Sequence, residues 1–193
     1  MGLAEPIRFL FHYGSIDFID NRLNKEKDWP KFKETTPYGQ VPLLEFDGKV
    51  INQSRAICRF LASKVDLDGK NDMENLEIDS VVDTIYDLRL KIREVFHEMN
   101  QEVKNEKRKV LHSTHIPFYI SLLDKLAAEN NGHLALNRLT WADLFFAAVK
   151  IYFSHCAEYD VLQNAPNLIK VVENVEKIEN IKKWIEKRPK TSF

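Results

Sequence analysis

Two short stretches carry residue types that can hold a small polar ligand. Gln40-Val41-Pro42 opens an apolar run reaching Phe46, and Gln53-Ser54 stands immediately before a helical pattern. A proline at the start of a strand admits a cis peptide bond, which would turn the N–H and C=O of Val41 away from a sheet and towards a bound peptide. A helix beginning at Ser54 leaves its first N–H groups without intrahelical acceptors, and these, with a hydroxyl beside them, suit a carboxylate. One end pairs with a peptide backbone and the other grips an acid, so a short acidic peptide is the ligand this pair of stretches fits. Taken singly, each has a plainer account: Gln-Ser before a helix is commonly a cap, and a lone lysine is commonly a solvated charge.

Other chemistry is less well served. The six histidines, His12, His97, His112, His115, His133 and His155, show no HExxH or paired Cys spacing, which argues against a metal site. His112 and His115 lie three apart, and a solvated helix end accounts for them. Cys58 and Cys156 fall far apart within helical patterns and read as buried thiols, a usage that suits a reducing compartment. Lys plus Arg is 28 and Asp plus Glu is 29, so no overall positive field favours nucleic acid. The longest apolar run, Leu144 to Val149, is too short to span a bilayer. The cytoplasm is the expected location, with small molecules or a second copy of the chain as partners.

The elements that must position the two stretches follow from periodicity. Leu3, Ile7, Leu10 and Phe11 have helical spacing, with Pro6 in the first turn and Gly14 at the end. Ile16, Phe18 and Leu23 alternate with Asp17, Asp20 and Arg22 and predict a strand, followed by an irregular charged loop through Asp28-Trp29-Pro30. Val41 to Phe46, the Asp47-Gly48 turn and Val50-Ile51 predict a hairpin, and a helix follows from Ser54. The polar, Gly-containing residues 66–72 read as a linker between residues 1–65 and an all-helical part, 73–193. There Met73, Leu76, Val81, Ile85, Leu88, Ile92, Phe96 and Met99 make one long stripe, and Ile116, Tyr119, Leu122, Leu123 and Leu126 make another that Asn130-Asn131-Gly132 stops. Thr140-Trp141-Ala142-Asp143 reads as a capping box, and the amphipathic run Leu168 to Trp184 completes the bundle.

The pattern Trp29-Pro30, Lys33, Pro37-x-Gly39-Gln40-Val41-Pro42-Leu43-Leu44-Glu45, Asp47-Gly48 and Asn52-Gln53-Ser54-x-Ala56-Ile57 resembles the cytosolic glutathione transferases, closest to their invertebrate sigma class. Asn52 stands where that class often has His. The Leu139 to Leu144 element strengthens the resemblance from a part of the chain unrelated to ligand binding. It implies an α/β thioredoxin-like N-terminal domain followed by an all-α helical-bundle C-terminal domain. In the family a first strand precedes the position of Gly2 and ends in a tyrosine whose hydroxyl hydrogen-bonds the glutathione thiol. This sequence has no residues there. Tyr13 and Tyr38 are the nearest tyrosines in sequence, and their placement does not suit that donor, so no catalytic residue is assigned.

By resemblance, Trp29 and Lys33 contact the glycine end of glutathione, with Lys33 pairing its carboxylate and Gln40 assisting. Val41 pairs its backbone with the cysteinyl residue, Gln53 and Ser54 hold the γ-glutamyl group, and Asp87 reaches the ligand's amino group across a dimer interface. Tyr86 occupies a position usually held by a second Asp, which argues against a metal, and Leu3 stands near the place of an Arg in the vertebrate prostaglandin-forming relatives. The implied function is conjugation of glutathione, as co-substrate with no further cofactor, to hydrophobic electrophiles by a homodimer, with residues from Leu88 to Phe96 lining the acceptor pocket or forming plain core. Two alternatives stay open: a non-catalytic, crystallin-like glutathione-binding relative, or a glutathione-dependent prostaglandin isomerase or peroxidase.

Overall fold

A computed structural model describes residues 2–190. The first part runs helix α1 (Glu5–Tyr13), helix α2 (Trp29–Thr35), strands β1 (Leu44–Phe46) and β2 (Lys49–Ile51), and helix α3 (Ser54–Ala62). Six further α-helices follow: α4 (Asp72–Phe96), α5 (Gln101–Val110), α6 (Ile116–Glu129), α7 (Trp141–Ala157), α8 (Pro166–Glu176) and α9 (Glu179–Lys187). A π-helical turn, Leu111–His115, joins α5 to α6. The architecture is thus a small α/β part with an antiparallel two-stranded sheet, followed by a helical bundle. Among the described residues no helix is long and apolar enough to cross a membrane.

The core is continuous across both parts. α7 supplies Trp141, Leu144, Phe145, Phe146, Val149 and Phe153, all buried, and α1 and α4 pack against it. On α4 the buried face is Ile78, Val81, Val82, Ile85, Leu88, Ile92 and Val95, the alternating three-and-four spacing of a helix packed along one side. α1 is fastened to the last helix through Glu5, whose fully buried carboxylate accepts from Trp184 Nε1 and Arg188 Nη1, both at 2.9 Å, and from Arg8 Nη1 at 3.1 Å.

Four expectations need correction. The segment from Ile16 to Leu23 is not a strand: the Ile16 N–H bonds to the Phe11 carbonyl at 2.9 Å, and among the described residues no strand lies beside it to complete a ladder. Its alternation is real in one respect, since Phe18 stacks on Phe11 at 4.5 Å while Ile19 is 94% exposed. Asp28-Trp29-Pro30 is not irregular but opens α2, because a proline in the first turn forfeits no hydrogen bond. The first strand is shorter than its apolar run, with Leu44↔Ile51, Glu45↔Val50 and Phe46↔Lys49 as its register. Met73, Leu76 and Met99 are exposed, and Met99 lies beyond the end of α4, so the stripe overran the buried face at both ends.

Candidate functional site

The two stretches singled out in the sequence sit at either end of the hairpin. The Val41–Pro42 peptide is cis, and the ladder begins only at Leu44, so the backbone of Val41 lies outside it. Val41 is itself 51% exposed. On the other side, Gln53 takes φ +72° and ψ +97°, a left-handed backbone that a side chain adopts only at a cost. That conformation turns the chain directly from β2 into α3. The first helical bond there is Ile57 N–H to Gln53 C=O at 3.0 Å, and no side chain caps the helix mouth. The N–H groups of Ser54, Arg55 and Ala56 therefore face outward with the positive end of the helix dipole behind them, an arrangement for a carboxylate. Ser54 is 6% exposed, and its hydroxyl has no hydrogen-bond partner among the described residues.

α2 brings the next pair. Trp29 opens this helix half-buried, and Lys33, one turn on, shares its face. The Lys33 stem lies over Gly39: a side chain there would meet Lys33 Cε at 3.3 Å, and Gly39 takes φ +61°. The Lys33 stem thus packs over the loop before Val41, and Gln40, next along that loop, is exposed. Asp87 stands elsewhere, on an exposed face of α4, with no hydrogen bond or ion pair to these residues among those described.

Sequence reasoning missed how α3 is held. Arg55, second residue of that helix, forms an ion pair with Asp83 and lies 4.1 Å over the ring of Tyr86, while Arg59 binds Asp79 at 2.8 Å. These contacts fix the helix mouth against α4. The signal was present as an i, i+4 pair of arginines facing an i, i+4 pair of aspartates, but their register is set by packing.

The cysteines offer no competing nucleophile. Both are buried, and burial pushes the Cys58 thiol far above its ordinary range and raises that of Cys156. Tyr13 packs against the core at the end of α1, and Tyr38 is 70% exposed in the loop before Val41. His112 is not at a solvated helix end: its Nε2 lies 2.8 Å from the Ala157 carbonyl, which ties the π-helical turn to α7. Among the described residues no group of three His, Cys, Asp or Glu side chains is disposed to hold a metal ion.

Residues 4–63 match the family described as Glutathione S-transferase, N-terminal domain, and residues 86–188 match Glutathione S-transferase, C-terminal domain. A glutathione S-transferase of Anopheles gambiae is 48% identical over 98% of this chain and 93% of its own length. Glutathione S-transferase S1 of Drosophila melanogaster is 47% identical over 98% of this chain and 76% of its own. The solved structure of prostaglandin synthase D of Nilaparvata lugens superposes with a TM-score of 0.94 at 38% identity, covering 98% of this chain and 94% of that one. Both halves of the molecule thus match one family: the chain belongs to the glutathione S-transferases, enzymes that use glutathione as co-substrate.

Proposed function

We propose that this chain binds reduced glutathione along the hairpin and conjugates it to hydrophobic electrophiles, as a cytoplasmic homodimer of the sigma class with a detoxifying role. The observation that carries the reading is the uncapped mouth of α3, where three outward N–H groups and the Ser54 hydroxyl stand ready for the γ-glutamyl carboxylate. Val41 offers a free backbone edge for the cysteinyl residue, and Trp29, Lys33 and Gln40 receive the glycine end, where the lysine charge complements the terminal carboxylate. Asp87 takes the ligand's amino group from the second subunit, which gives the dimer a part in the site. Residues 1–65 then form the glutathione-binding unit and 73–193 the wall against which the acceptor lies, joined by 66–72.

On this reading the hairpin and the start of α3 orient the tripeptide. The thiol has an ordinary pKa of about 8.5 and is only slightly ionised at neutral pH, so a hydrogen-bond donor at the sulfur would raise turnover. A glutathione-dependent prostaglandin isomerase is the second reading, favoured by the likeness to the Nilaparvata lugens prostaglandin synthase.

Calorimetry with glutathione, followed by turnover assays with a chlorinated aromatic acceptor and with a prostaglandin endoperoxide, separates these readings. Binding with conjugation supports the first, and conversion of the endoperoxide alone supports the second. Glutathione binding without turnover of either acceptor indicates a non-catalytic relative, and absence of glutathione binding removes the site itself.

A further inference from the structure

We propose that α5 is a strap across the ends of α4 and α7, held shut by ion pairs, which releases and melts as one unit beside the π-helical turn and does so more readily as ionic strength rises. The starting point is composition. α5 reads QEVKNEKRKV and, alone among the described helices from α4 to α9, buries no residue. Its two apolar side chains, Val103 and Val110, are 41% and 49% exposed. An apolar face is what ordinarily holds a helix to a core, and α5 has none to bury. Its 10 residues also fall short of the length, about 12–15, at which a helix persists alone in water. Polar contacts are therefore what keep α5 in place.

Those contacts reach in two directions. Towards α4, Lys107 Nζ stands 2.9 Å from Glu98 and 3.2 Å from Glu94, and Lys104 Nζ donates to the Phe96 carbonyl at 3.2 Å. Towards α7, Arg108 Nη2 lies 2.7 Å from Glu158, the residue directly after that helix. Lys107 and Arg108 thus meet carboxylates of the body, and solvent reaches each of these pairs. Pairs so exposed are weak singly and are screened by salt. Lys109 differs, because its ion pair with Glu106 at 2.7 Å lies within the strap.

The joints at the two ends complete the device. Residues 98–100 before α5 belong to no helix or strand, and the Asn100 side chain caps α5 afresh. After α5 comes the π-helical turn Leu111–His115, a departure from α-helical bonding of the kind that recurs at functional places. This turn is itself anchored: Leu111 is fully buried, and His112 Nε2 lies 2.8 Å from the Ala157 carbonyl, with its ring 4.8 Å from that of Tyr159. A short helix released between an irregular linker and a fixed pivot loses its hydrogen bonds together. Opening then bares the ends of α4 and α7, beginning with the Phe96 carbonyl, while the core stays closed.

The test is amide hydrogen exchange on the full chain without ligand, expressed as protection relative to the unfolded rate at the same salt. Amides from Asn105 to Val110 should share one opening equilibrium and be protected at least about 100-fold less than those of α4 and α7. Between about 0.05 M and 1 M salt their protection should fall roughly fivefold further while α4 and α7 hold steady. Lys107→Met/Arg108→Met should lower it about tenfold at low salt and remove most of the salt response, with Tm unchanged. Lys109→Met takes a cation from the same last turn but no contact from the body, and should change protection by less than about twofold. Protection in α5 equal to that in α7, a gradient from one end in place of a shared opening, or equal effects of Lys109→Met and the double variant would overturn the proposal. So would a salt response shared by α4 and α7, which reports global unfolding. Glutathione takes no part in this measurement, so the strap stands or falls independently of the transferase reading.

Discussion

At the start of α7 the fully buried carboxylate of Asp143 accepts the N–H groups of Leu134 and Thr140, each at 2.8 Å, and the Thr140 hydroxyl at 3.1 Å. At the start of α3 nothing comparable happens: Gln53 turns the backbone through a left-handed conformation, and no side chain accepts from the N–H groups that follow. Both helices carry the same partial positive charge at that end. α4 and α5 follow α7, with Asn71 and Asn100 as their caps, and α8 uses Asp124 from α6. Side-chain oxygens thus close the starts of α4, α5, α7 and α8, whereas α3, like α1, α2 and α9, has no side-chain cap; on the reading proposed above, the open start of α3 receives an oxygen brought by the ligand.

Breaking the closed end should produce the largest effect. Asp143→Ala strands buried donors and should cost about 4 kcal/mol, lowering Tm by about 10 °C, as read by calorimetric melting. Breaking the open end should do the reverse. Ser54→Ala should weaken glutathione binding by about 10–100-fold in titration calorimetry while shifting Tm by less than about 2 °C. At Gln53 the contrast sharpens further, because Gln53→Gly relieves the backbone strain and Gln53→Ala retains it. The glycine variant should be the more stable by about 1 kcal/mol in denaturant melts, with both weaker than the wild type for glutathione.

The smallest effect lies at the closed end again. His133 Nδ1 stands 3.8 Å from Asp143 Oδ1, and that carboxylate raises the imidazole pKa above its ordinary value of 6.5. The protonated form is favoured by folding, so its stabilisation is complete below about pH 6.5 and fades as pH rises through the higher folded value. His133→Gln should flatten the fall in Tm between about pH 6 and pH 8.

What the sequence disclosed was mostly what is local. The Thr140 to Asp143 box needs only a spacing of three, and the Val41-Pro42 and Gln53-Ser54 elements declare a loop and a helix start by residue type alone. The strand expected over Ile16 to Leu23 failed because pairing is not local: alternation placed Phe18 inward, but a ladder needs a neighbour, and none is present among the described residues. α2 was hidden by its proline and its charges. The extra length given to the α4 stripe came from Met73 and Met99, whose apolarity carries no information about whether anything packs on them. The left-handed turn at Gln53 and the Arg55–Asp83 pair across 28 residues depend on tertiary register, which no periodicity reveals.

Backbone amide resonances provide the most direct test of the open helix mouth. On titration with reduced glutathione, the N–H signals of Ser54 and Arg55 should shift together and saturate with the dissociation constant found by calorimetry. The Thr140 and Leu134 signals should stay fixed. If the tripeptide binds while Ser54 and Arg55 remain unmoved and the shifts gather elsewhere, α3 does not hold the ligand's acid and the account is wrong.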